Sequence, residues 1–130
     1  MRKADRASLA RAKRVARMAQ RAIEVLGGTD EAYRWLTTPC AAIRGNTPYD
    51  VHYDADGARR VATALRLRAA RERLVRKCGQ GTFPDAAALT TWLWKKNRAL
   101  RNRPPATLLD SDRGARDVLA VMSRMRRRTR

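Results

Sequence analysis

Apolar positions near the start of the chain recur at helical spacing. From Ala7 to Leu26, Val15, Met18, Ala19, Ala22, Ile23 and Leu26 share one face. Arg11, Lys13, Arg14, Arg17 and Arg21 fill the opposite face, and Gly27-Gly28 ends the predicted helix. Thr29 then offers a capping oxygen to a short helix, "DEAYRWL", whose Asp30 and Glu31 suit the positive end of the helix dipole. "TTPCAAIRGN" reads as a loop anchored by Ile43. Thr47-Pro48 is a start signal, a capping hydroxyl followed by a proline at the first helical position, and predicts one or two turns through about Tyr53. Asp54 or Asp56 caps a long helix to about Lys77, closed by Cys78-Gly79. Its apolar positions are Ala58, Val61, Ala62 and Leu65 in the first half, then Leu67, Ala70, Leu74 and Val75. After the linker "GQGTFP" the order repeats: a helix from about Asp85 to Lys96, a loop holding Leu100, a turn from Pro105 and a capped helix from Ser111. No strand pattern appears, so the expected fold class is all-α.

The repetition extends to residues. A shift of 57 places Trp35 on Trp92, Leu36 on Leu93, Ile43 on Leu100, Arg44 on Arg101, Pro48 on Pro105, Gly57 on Gly114 and Val61 on Val118 without a gap. The matches fall on structural punctuation and core-type positions rather than on the abundant Arg. An internal duplication is therefore expected. One unit of about 45 residues buries little apolar surface alone. Two tandem small helical repeats packed around a shared core are the predicted architecture. A basic N-terminal arm and helix over 1–19 precedes repeats over 20–78 and 79–125, and a basic tail over 126–130 follows.

Trp35, Leu36, Pro39, Ala42, Ile43, Gly45, Thr47, Pro48, Gly57, Ala58 and Val61 form an ordered set within "RAIEVLGGTDEAYRWLTTPCAAIRGNTPYDVHYDADGARRVATAL". This segment resembles the antitoxin Xre/MbcA/ParS-like toxin-binding domain. The second repeat resembles it more weakly, through Trp92, Leu93, Asn97, Ala99, Leu100, Asn102, Pro105, Leu108, Leu109, Gly114 and Val118. The resemblance implies a helical protein that docks on a cognate toxin, typically of the RES-domain type that consumes NAD or transfers ADP-ribose. It also implies association through this domain, hence a homodimer or a fused duplicate standing in for one. Three features depart from the family pattern. The first 26 residues suit one helix rather than a helix-turn-helix, "RMRRRTR" replaces a Tyr-Gly-containing end, and the domain is present twice.

Charge adds a second partner class. Across 130 residues, 30 Lys and Arg stand against 12 acidic residues, a net charge of +18. All but Lys3, Lys13, Lys77, Lys95 and Lys96 of these cations are Arg, whose planar fork pairs with phosphate. A GC-rich genome also raises Arg, but it does not explain the shortage of acids. Arg2, Lys3, Arg6, Arg11, Lys13, Arg14, Arg17 and Arg21 at one end, with Arg124, Arg126, Arg127 and Arg128 at the other, are the candidate nucleic-acid contacts. The last group is expected to be disordered without a partner. DNA is the first expectation and RNA the alternative. Apart from Gln20, neither segment offers Asn or Gln base readers, so weak sequence selectivity is expected.

Catalytic chemistry is not expected. His52 is the single histidine, and Cys40 and Cys78 are far apart, so neither a metal site nor a disulfide framework is indicated. Asp54/Asp56 and Asp110/Asp112 resemble carboxylate pairs but stand where helix caps belong. Ser8, Ser111 and Ser123 lack a neighbouring base, and the glycine pairs lack the Lys of a phosphate loop. No cofactor follows. No apolar run reaches the roughly 20 residues of a membrane span. The N-terminus lacks an apolar leader core. A cytoplasmic location without membrane contact is expected. Trp94, beside Lys95 and Lys96, could stack on a base, anchor an interface or pack against the N-terminal helix. Two functional readings stay open at this point. One is an antitoxin with DNA-gripping arms. The other is a non-enzymatic nucleic-acid-binding accessory protein, with an acidic protein as a further target class.

Overall fold

The computed structural model describes residues 2–51 and 54–128, and every regular element among them is helical. The helices are α1 (Lys3–Leu26), α2 (Thr29–Leu36), α3 (Pro48–Val51), α4 (Ala55–Gly79), α5 (Ala86–Trp94) and α6 (Asp112–Arg128). Single-turn 3-10 segments cover Ala41–Ile43, Arg98–Leu100 and Pro105–Leu108. α1 begins earlier than its apolar periodicity because Lys3, Ala4, Arg6 and Ala7 are strong helix formers and Asp5 sits in the first turn. It ends at Gly27, whose φ of +86° is the left-handed geometry that glycine adopts without strain. Thr29 does not cap α2 as expected. It is the first helical residue, Gly28 occupies the cap position, and no side chain bonds there.

Other caps follow the sequence. The Thr47 hydroxyl accepts from the Asp50 N–H at 3.2 Å, and Asp54 Oδ1 accepts from the Gly57 N–H at 2.7 Å. Asp85 Oδ1 accepts from the Ala88 N–H at 2.8 Å, and Ser111 Oγ from the Gly114 N–H at 3.0 Å. Asp110 and Asp112 are used otherwise. Ser111 takes the capping role, leaving these two carboxylates for arginines of α4. Arg126, Arg127 and Arg128, expected in a disordered tail, extend α6, because Arg favours helix and cations suit the negative helix end.

The chain divides into two compact units, Met1–Leu67 and Arg68–Arg130, with α4 giving its first half to one and its second half to the other. In the first unit Ala22 and Leu26 of α1 pack with Ala32, Trp35 and Leu36 of α2, with Cys40 and Ile43, and with Val61, Ala64 and Leu65 of α4. In the second, Val75 of α4 packs with Leu89 and Leu93 of α5, with Leu100, Ala106 and Leu109, and with Ala115, Val118, Val121 and Met122 of α6. Phe83 and Trp92 flank this second cluster, their rings 5.5 Å apart. The buried residues of each unit form a cluster of their own. A further helix packs with each repeat. The end of α1 and the second half of α4 each supply apolar cover that a bare repeat lacks.

The duplication holds at the level of backbone bonds. The Cys40 N–H donates to the Asn46 carbonyl at 2.9 Å, and its counterpart Asn97 donates to Arg103 at 3.2 Å. Gly45 donates to Cys40 and Asn102 to Asn97, both at 2.9 Å. Arg44 and Arg101 share left-handed φ values of 59° and 57°. This tight loop turns the chain so that Ile43 and Leu100 point into their clusters.

Candidate functional site

Seven of the eight predicted cations on or before α1 are exposed, namely Arg2, Lys3, Arg6, Arg11, Lys13, Arg17 and Arg21, while Arg14 is half-buried. At 3.6 residues per turn, Lys3, Arg6, Lys13, Arg14, Arg17 and Arg21 share one side of α1. Arg11 departs from this stripe and lies on the side of Ala22 and Leu26, N-terminal to them. The first two turns of α1 bury nothing, so Lys3 and Arg6 there face solvent. On α6, Arg124, Arg126, Arg127 and Arg128 are also exposed, but Arg126 is already engaged by the fold. Its guanidinium donates to the Cys78 carbonyl at the end of α4. Trp94 is half-buried against the second apolar cluster, which favours packing over base stacking.

The motif residues occupy structural positions. Trp35 is 3% exposed, Leu93 and Val118 are fully enclosed, and Pro48, Pro105, Ile43, Leu100, Leu36, Val61, Gly57 and Gly114 are buried. Trp92 is half-buried. These side chains shape surfaces rather than present themselves on them.

Among the described residues, three of the surface concavities bear on binding. A cavity of about 540 Å³ in the second unit lies between the Leu100–Arg101 loop and α6, edged by Arg101, Arg103, Arg113 and Arg124 with Asp117 as the acid. Its counterpart in the first unit, about 500 Å³, is lined by Ile43, Arg44, Asn46, Asp50, Val51 and Arg60. Arg60 and Asp117 are equivalent positions of opposite charge, so the duplicated concavity has diverged electrostatically. The third, a groove of about 680 Å³, runs between α1 and the first half of α4. Met18, Ala58, Val61, Ala62 and Leu65 form an apolar floor, and Arg14, Arg17, Arg21, Arg59 and Glu24 stand along it. Sequence reasoning did not single out Arg101, Arg103 or Arg113. The repeat alignment carried a signal for Arg101 alone, which it pairs with the loop arginine Arg44, whereas Arg103 and Arg113 stand opposite Asn46 and Asp56.

A buried charge network also escaped the sequence reading. Arg68, 2% exposed, donates to Glu72 at 3.2 Å, and its Nη2 approaches the Ala106 carbonyl at 3.5 Å. Its Nε lies 4.0 Å from Asp110, within ion-pair reach but beyond hydrogen-bond length. Arg76 approaches the second oxygen of Glu72 at 3.7 Å and donates to Thr90 at 3.0 Å. Because Arg68 is enclosed with carboxylates and a carbonyl around it, this network is a structural clasp.

Among the described residues no group of three His, Cys, Asp or Glu side chains gathers as metal ligands. His52 lies outside the described residues. Cys40 is buried, Cys78 half-buried, and both thiols are unbridged. No helix is long and apolar enough to cross a membrane among the described residues.

The family model for the antitoxin Xre/MbcA/ParS C-terminal toxin-binding domain matches residues 21–69 and 79–128, one match to each repeat. No curated protein and no solved structure gives a match.

Proposed function

The chain belongs to the antitoxin Xre/MbcA/ParS C-terminal toxin-binding domain family in both halves, and on that premise we propose that it is an antitoxin that binds and neutralises a cognate toxin. The resemblance points to a toxin of the RES-domain type. The observation that supports this reading best is the double match, since two toxin-binding domains in one chain stand where one suffices for binding. Neutralisation is stoichiometric and needs no catalytic group. Arg-rich α1, with the end of α6, adds contact to DNA through phosphates, a term that depends on salt more than on sequence. A homodimer is not required, because the fused duplicate can take its place.

Co-expression with the toxin encoded by an adjacent reading frame tests the reading. Growth arrest by the toxin alone and its relief by the intact chain are the expected results, with a complex isolable by size exclusion. Arrest that persists, with no complex, removes the antitoxin reading. The second reading, a nucleic-acid-binding accessory protein, draws on the polyarginine end of α6. It predicts DNA or RNA binding in a chain that fails to relieve the arrest.

A further inference from the structure

We infer that the groove between α1 and the first half of α4 is the docking site for an amphipathic helix of the toxin, with an apolar ridge flanked by carboxylates. The inference rests on the antitoxin reading and adds where on the chain the toxin sits. Its support is the chain's own second version of the same seam. Shifted by 57 positions, Met18 becomes Val75, Val61 becomes Val118 and Leu65 becomes Met122. Val75, Val118 and Met122 are buried in the second unit, whereas in the first Val61 and Leu65 are equally enclosed and Met18 is left half-buried. There Leu119 stands where the first unit has Ala62, and Asp112 stands where it has Ala55. Asp112 accepts from Arg71 at 3.0 and 3.1 Å and so ties α6 to α4 along the seam. The first unit has alanine at both closing positions, and a groove of about 680 Å³ remains. What the second repeat supplies from its own helix, an apolar side chain near a carboxylate, is what the first repeat leaves to a guest.

Charge then selects the guest. Arg17 and Arg21 on α1 and Arg59 on α4 edge the floor, opposed there by Glu24. A second copy of this chain, at +18, is repelled from such a rim. Nucleic acid offers anionic charge but no ridge to cover Met18, Ala58 and Ala62. A helix that lays apolar side chains into the groove and carboxylates toward the rim satisfies both.

The test uses the intact chain and a substitution that preserves its charge. Ala62→Leu gives the first unit the side chain the second already has. Retained helicity with an unchanged or raised melting temperature is expected, together with toxin binding weakened at least about tenfold. A labelled, stapled helix with leucines on one stripe and glutamates beside it is the independent probe. It should bind the wild-type chain, lose at least about tenfold on Ala62→Leu, and lose binding when lysines replace its glutamates. If Ala62→Leu fails to fold, Ala55→Asp at the exposed start of α4 serves with the same expected direction. Equal binding of toxin and probe by wild type and a folded variant overturns the groove. Wild type that grips the probe in this Ala62-dependent way but neither binds nor neutralises the toxin overturns the antitoxin reading instead.

Discussion

Gly57 and Gly114 show how much a single position can dictate. A Cβ on Gly57 would stand 1.8 Å from the Val51 carbonyl oxygen, and one on Gly114 would stand 1.9 Å from that of Leu108. The obstacle is backbone in both cases, so no rotamer relieves it. The start of α4 or α6 has to move away from the turn before it. Gly114→Ala should therefore cost about 1–3 kcal/mol or more, as overpacking does. Thermal unfolding would read this as a fall of about 4–8 °C for each kcal/mol in a unit of this size. Gly81→Ala is the control, since its Cβ would meet nothing closer than an Arg126 nitrogen at 3.9 Å. The 57-residue repeat alignment marked both glycines. It could not say why they are glycine, because the reason is a carbonyl six residues earlier that folds back onto the helix.

At the scale of elements, α4 separates what the sequence made legible from what it hid. Its start at the Asp54 cap, its great length and its two apolar halves are all readable from residue spacing. The status of Arg68 is not. An Arg four residues before a Glu on a helix looks the same on a solvated face as in a buried clasp. What buries Arg68 is the turn around Ala106, 38 residues later. The same limit applies to Asp110, where local pattern pointed to a cap and long-range packing assigned an ion pair. Arg68→Ala should cost about 3–5 kcal/mol, because it takes the buried cation from between Glu72 and Asp110 and leaves Glu72 only Arg76 at 3.7 Å. Urea unfolding measures it. The counterpart in the first repeat, exposed Arg11, should change stability by less than about 0.5 kcal/mol on the same substitution. Equal effects at the two positions would mean that the clasp contributes nothing.

Across the whole molecule, the candidate surfaces were legible in unequal degree. The cations of α1 other than Arg11 could be read directly, because their periodicity opposes that of Met18, Ala22 and Leu26. The groove could not, since it depends on alanines, whose small size registers only against the larger residues of the other repeat. DNA contact through α1 yields the last prediction. Neutralising six to ten phosphates gives a log–log salt slope of about −5 to −9. A net charge of +18 would attract DNA without any specific surface. Total charge and position must therefore be varied separately. Changing Arg2, Lys3, Arg6 and Lys13 to Gln leaves the groove rim untouched and removes four charges from the exposed start of α1. Changing Arg66, Arg73, Lys95 and Lys96 to Gln removes the same number of exposed charges elsewhere. If α1 tracks the phosphates, gel-shift titrations across salt should show the slope of the first variant shallower by roughly 3–4 and that of the second near wild type. Equal shifts in both would make the attraction a property of net charge alone and take α1 out of the DNA contact.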